Sequence, residues 1–147
     1  MSNYMRQLYR NGDNVLYPDD DGKIYDFDVD EALDIHAEDW NNCKTEQQAK
    51  RIIALGKLMN AALYVNHGWL PNWKDNTQEK WYLLAKDVRI HFTKSYVVTA
   101  ESEQENKGNV YFRSRAAAAQ ALILVGKETI KDYYSIDWMD YEHTINY

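Results

Sequence analysis

The sequence predicts an α+β fold, and three observations carry that reading. A hydroxyl-capped segment from Thr45 to about Asn66 has apolar residues at helical spacing. Val88, Ile90 and Phe92 alternate with Arg89, His91 and Thr93, the two-residue period of a strand with one wet face. Ser114 and Gly126 bracket an Ala-rich helix. The expected architecture is a small antiparallel sheet of three or four strands, packed on one face by the long central helix, with a hairpin and a short helix at the N-terminus. Of the 147 residues, 45% are hydrophobic and twenty are aromatic, which supplies one core and excludes the disordered, collagenous and coiled-coil classes. One globular unit is expected, with an acidic hairpin and short helix over 1–40 packed on an α+β domain over 41–147.

Along the chain, Val15-Leu16-Tyr17 and Lys23-Ile24-Tyr25 flank Pro18-Asp19-Asp20-Asp21-Gly22, where Pro presets one turn angle and Gly accepts a positive φ, so a hairpin is expected. Asp30 then caps a short helix ending near Trp40, with Glu31 and Asp34 favoured early in it. Thr45 and Gln48 have capping-box spacing and open the longest helix, which Gly68 follows. It carries two apolar stripes, Ala49, Ile52, Ile53, Gly56, Met59 and Leu63 in one and Leu55, Leu58, Ala62 and Val65 in the other. They fit either a helix covered on two sides or a face for self-association. Pro71 disfavours helix at Leu70 and makes 68–76 an aromatic loop. Strands are expected at Lys80–Lys86, Val88–Thr99 and Asn109–Phe112, with a polar turn at Glu101–Asn106. Helices follow at Arg115–Val125 and Lys127–Tyr134, and the tail from Ser135 is left unassigned. Trp69, Trp73 and Trp81 are expected to be largely buried beside Ile52, Ile53 and Met59.

Charge is segregated. Residues 1–40 hold eleven carboxylates against Arg6, Arg10 and Lys23, while the remainder holds twelve against fourteen basic groups. A field of that sign repels phosphates and favours basic surfaces, acting on association rate and partner choice more than on fold. The other reading is solubility alone. A single Cys excludes an internal disulfide framework, no apolar run is long enough to cross a bilayer, and the first ten residues lack an apolar signal core, so a reducing cytoplasm is expected.

The search for chemistry is mostly negative, and neither a catalytic set, a cofactor nor a metal is expected. Gly126-Lys127 lacks the Gly-rich half of a phosphate loop, and a calcium loop placing Gly22 sixth would put Tyr17 where a carboxylate is required. The four His residues show no metal-ligand spacing, and Cys43 has no Cys or His partner near it in sequence. Lys107-Gly108-Asn109-Val110-Tyr111-Phe112-Arg113-Ser114 has the flavour of an RNA-recognition strand, with aromatics to stack bases beside a basic residue.

At Trp69-Leu70-Pro71-Asn72-Trp73, then Lys80-Trp81-Tyr82, then Tyr111-Phe112-Arg113-Ser114 with Ala118 and Ala121, the chain resembles a family of small bacteriophage and prophage proteins. Members carry a Trp-x-Pro-x-Trp loop after a long capped helix and a Tyr-Phe-Lys/Arg-Ser strand leading into the final helices. The likeness runs from about Trp40 to Tyr134 and departs at the acidic N-terminal extension, at Cys43 and at Ala116 to Ala119. The resemblance implies a phage or mobile-element origin and stoichiometric action on host machinery rather than an enzyme. The leading expectation is an inhibitor of a bacterial defence nuclease, an anti-CRISPR or anti-restriction protein acting by nucleic-acid mimicry. Asp19, Asp20, Asp21, Asp26, Asp28, Asp30, Glu31 and Asp34 would meet its basic channel. The alternatives are a nucleic-acid-binding module using Lys107, Tyr111, Arg113, Arg115, Lys127 and Lys131, and a structural phage protein that forms a homodimer through the long helix.

Overall fold

A computed structural model describes residues 14–18, 22–28, 43–86, 89–94, 110–136 and 140–141. The chain is α+β and divides into two compact units, Met1–Leu55 and Gly56–Tyr147, with the division falling inside the longest helix. The short helix expected between Asp30 and Trp40, the Glu101–Asn106 turn and Asn109 lie outside the described residues.

In the first unit, β1 (Asn14–Pro18) and β2 (Ile24–Asp28) pair antiparallel with Val15 opposite Phe27 and Tyr17 opposite Tyr25. Gly22 leaves the turn at a φ of 80°, a conformation that a side chain disfavours. The other edge of β1 is bridged by Cys43, whose N–H and C=O both bond Leu16, at 2.7 and 2.8 Å. Val15, Pro18, Cys43, Ala49 and Ala54 are buried.

The helix α1 (Glu46–Asn66) starts as its cap predicts. Thr45 Oγ1 accepts from Gln48 N at 3.1 Å, and Gln48 Oε1 accepts in return from Lys44 N at 3.0 Å. His67 and Gly68 both turn to positive φ, and Trp69 N bonds Asn66 O at 2.9 Å.

In the second unit, β3 (Trp81–Lys86) and β4 (Arg89–Lys94) form an antiparallel hairpin with Leu83 opposite Phe92 and Ala85 opposite Ile90. Ser114 Oγ accepts from Ala117 N at 3.0 Å and opens α2 (Arg115–Val125). Gly126, at a φ of 83°, ends α2 and begins α3 (Lys127–Tyr134). The helix that lies directly against both strands is α2 rather than α1, and its sequence explains the close approach. Ala117, Ala118 and Ala121 are buried and place only methyl groups between helix axis and sheet. The end of α1 joins the same core through Leu58, Ala61, Ala62 and Val65, which meet Leu83, Ile90, Phe92, Phe112, Leu122 and Ile130. Tyr134 ties α3 to the hairpin by donating its hydroxyl proton to Leu83 O at 2.9 Å, and burial holds that phenol above its ordinary pKa.

Three expectations need correction. The Asn109–Phe112 strand reduces, in its described part, to one bridge in which Trp81 and Phe112 exchange two backbone bonds of 2.9 and 2.7 Å before the chain turns into the Ser114 cap. The third strand is instead β5 (Asp140–Tyr141), two residues paired parallel to β4. The tryptophans Trp69, Trp73 and Trp81 are half-buried, and Met59 is exposed, because the buried stripe of α1 is Ala54, Leu58, Ala61, Ala62 and Val65. Those positions fall within about 100° of one another around the helix, so they share one face, and Met59 and Leu63 are left outside it.

Candidate functional site

The acidic segment was the expected site. Of its residues, Asp26 lies exposed in the middle of β2, opposite Leu16 in register and next to the exposed Tyr25. Asp28 ends the same strand, opposite Asn14. Asp19, Asp20, Asp21, Asp30, Glu31 and Asp34 lie outside the described residues. Tyr25 and Asp26 are successive strand residues, so the exposed ring and the exposed carboxylate project from opposite faces of the hairpin.

Cys43, a candidate nucleophile by residue type alone, is fully buried in its bridge to Leu16. Desolvation raises its thiol from 9.0 to about 11, so at neutral pH it is protonated and a poor nucleophile. A thiol reagent at pH 7.5 is expected to label the folded chain far more slowly than the urea-unfolded chain; equal rates would contradict the burial. The linked pH dependence follows in sign. This group's contribution to stability is constant below about pH 9 and is lost as pH rises toward 11, where the unfolded thiol ionises before the folded one.

The described part of the RNA-like string is used internally. Phe112 and Tyr111 are both buried, and Tyr111 meets Trp73 edge-on at 5.0 Å and Tyr82 at 5.7 Å between ring centres. Neither ring has a face left for a base, which removes the stacking on which that reading depends. Arg113 Nε donates to Val65 O at 3.0 Å, Arg115 sits 5.0 Å over the Phe92 ring, and Lys131 pairs with Glu128 at 3.6 Å. Lys107 lies outside the described residues.

Two polar residues that sequence reasoning passed over hold this region. Asn66, buried at the end of α1, donates Nδ2–H to Tyr111 O at 2.9 Å and accepts Arg113 N–H on Oδ1 at 3.0 Å, matching an amide to a strand-like backbone edge. Lys80 is fully buried. Its ammonium donates to the carbonyls of Asp75 at 2.8 Å and Gln78 at 3.3 Å and lies 5.5 Å from the Trp73 ring centre. The loop it anchors is cross-braced by side chains. Asn72 N–H donates to Gln78 Oε1 at 2.6 Å, Gln78 Nε2 donates to Leu70 O at 3.1 Å, and Thr77 bonds Asp75 through both its N–H and its hydroxyl. The Thr77 bonds hold the Asp75 carboxyl below its usual range, and those from Trp81 and Lys94 do the same at Glu79. The Trp-x-Pro-x-Trp loop thus owes its shape to Gln78 and Lys80 as much as to its aromatics. An Asn two residues before a Gly at a helix end was the available signal for Asn66; a lysine beside a tryptophan gave none for burial.

Among the described residues, no group of three His, Cys, Asp or Glu side chains is placed to hold a metal ion, and no helix is long and apolar enough to cross a membrane. An open groove of about 530 Å³ runs beside α1 and the end of α2, lined by Lys57, Asn60, Ala61, Tyr64, Leu124 and Val125. No protein-family profile, curated protein or solved structure matches the chain.

Proposed function

We propose that this chain is a phage or mobile-element protein of the host cytoplasm that acts by stoichiometric protein binding. Its target is a bacterial defence nuclease, which it inhibits as an anti-CRISPR or anti-restriction protein by occupying a basic nucleic-acid channel. The observation that carries the reading is charge segregation, eleven carboxylates against three cations in the first forty residues. The exposed Asp26 on β2 supports it, as does the resemblance of the Trp-x-Pro-x-Trp and Tyr-Phe-Arg-Ser elements to small phage proteins. Carboxylates meet arginine forks as phosphates do, with bidentate charge-assisted bonds.

The experiment is capture of a nuclease from host lysate by tagged protein, identification by mass spectrometry, and reconstitution with the nuclease's nucleic acid. Mutually exclusive binding is the expected result; a ternary complex with nucleic acid still seated would defeat the mimicry mechanism.

A further inference from the structure

We infer that α1 is divided at Gly56 into two cooperative units, so that the β1–β2 hairpin, the Cys43 bridge and the part of α1 before Gly56 open together while the second unit stays folded. Gly56 stands in the interior of α1 and is exposed. An interior glycine weakens a helix, because it loses more backbone freedom than alanine does and adds no side chain. Nothing local calls for it. Its φ is not positive, and a Cβ placed there meets nothing within 4 Å among the described residues. The weak point falls at the boundary between the two compact units, Met1–Leu55 and Gly56–Tyr147.

The two sides differ in what they bury. The core that α1 joins through Leu58, Ala61, Ala62 and Val65 is built from residues that all follow Gly56, Phe92, Phe112 and Leu122 among them. Before Gly56 the described buried side chains are Val15, Pro18, Cys43, Ala49 and Ala54, all small. Burial stabilises in proportion to the apolar area removed from water, so the larger side chains hold the second core more strongly. The elements before Gly56 are also weak by themselves. A two-stranded hairpin is marginal on its own, and residues 46–55 make a helix shorter than the roughly 12 to 15 residues at which an isolated helix is even marginal in water. An opening that breaks α1 at Gly56 therefore costs less than one that also dismantles the second core, which is the condition for a sub-global unit. Asp26, exposed on β2, belongs to the part that opens, so a partner seated on it would suppress the opening by mass action.

Cys43 reports the opening, because it is the single cysteine and is fully buried in its bridge to Leu16. Tryptophan fluorescence reads global unfolding, since four of the five tryptophans follow Gly56. The full chain is labelled with a thiol reagent across sub-denaturing urea, under conditions where reclosing outpaces labelling. Without urea, Cys43 is expected to label at least about tenfold faster than global unfolding allows, and its rate should rise with urea less steeply than the equilibrium slope. Gly56→Ala should slow the labelling by about fivefold, the cost of an interior glycine. Its methyl group enters open space, so the fold is retained. A labelling rate and a urea slope that both match global unfolding would overturn the inference. So would a Gly56→Ala chain that labels as fast as the native one.

Discussion

Phe112→Ala should lower the unfolding free energy by about 4 kcal/mol, the range for deleting a fully buried aromatic ring. Two features set it apart from an ordinary core position. Its ring is 0% exposed in the cluster joining α1, the β3–β4 hairpin and α2. Its backbone also makes the two bonds to Trp81 that fix where the segment before α2 meets the hairpin. The cavity therefore opens where three elements converge. Against a typical total of about 5 to 15 kcal/mol, the loss leaves a barely folded protein. Urea unfolding followed by tryptophan fluorescence reads it as a lower midpoint at unchanged slope. A loss below about 1 kcal/mol would mean that the ring packs far less tightly than its burial implies.

Asn66→Ala is expected to cost about 2 to 4 kcal/mol, although it removes only a small polar side chain, because two backbone groups lose their partners at once. The carbonyl of Tyr111 and the N–H of Arg113 are both held by this one amide, and Asn66 is itself buried. Asn66→Asp separates the two bonds. The carboxylate still accepts from Arg113 N, but it turns an acceptor toward the Tyr111 carbonyl, so at neutral pH it should be no better than alanine. Full stability in the aspartate variant would show that the Tyr111 bond contributes nothing.

What the sequence discloses and what it hides divide along the range of the interactions. The caps at Thr45 and Ser114, the stop at Gly126 and the turn at Gly22 are local events, each set by a hydroxyl or a missing Cβ within a few residues, and the structure has all of them. Of the strands expected over Lys80–Lys86 and Val88–Thr99, the described residues form Trp81–Lys86 and Arg89–Lys94, and the second follows from its alternation, with Ile90 and Phe92 inside. The parallel pairing of Asp140 and Tyr141 with β4 is different, since two residues are too short for any period and the partner is some fifty positions away. The two apolar stripes of α1 fit burial over a wide arc, yet Leu58, Ala62 and Val65 join the core while Leu55, Met59 and Leu63 are exposed, a division that the tertiary neighbours decide and helical spacing does not. Lys80 and Asn66 escaped notice because a buried polar residue declares itself only through partners that tertiary structure supplies.

The same division bears on function. Charge segregation is a property of composition and needs no coordinates, whereas the buried face of α1 emerges only when the core has been assigned. The proposed contact with a basic channel is electrostatic, so salt should weaken it, because exposed charges separated by more than a Debye length of about 10 Å at 0.1 M ionic strength are largely screened.

The most direct measurement is the dissociation constant of the complex with the captured nuclease as a function of salt, for the native chain and for a variant neutralised at eight positions. The changes are Asp19→Asn, Asp20→Asn, Asp21→Asn, Asp26→Asn, Asp28→Asn, Asp30→Asn, Glu31→Gln and Asp34→Asn. Affinity should fall by on the order of 100-fold or more at low salt, and the steep salt dependence of the native complex should flatten with it. Equal affinity and an equal salt slope in the two proteins would show that the acidic third of the chain does not make the contact.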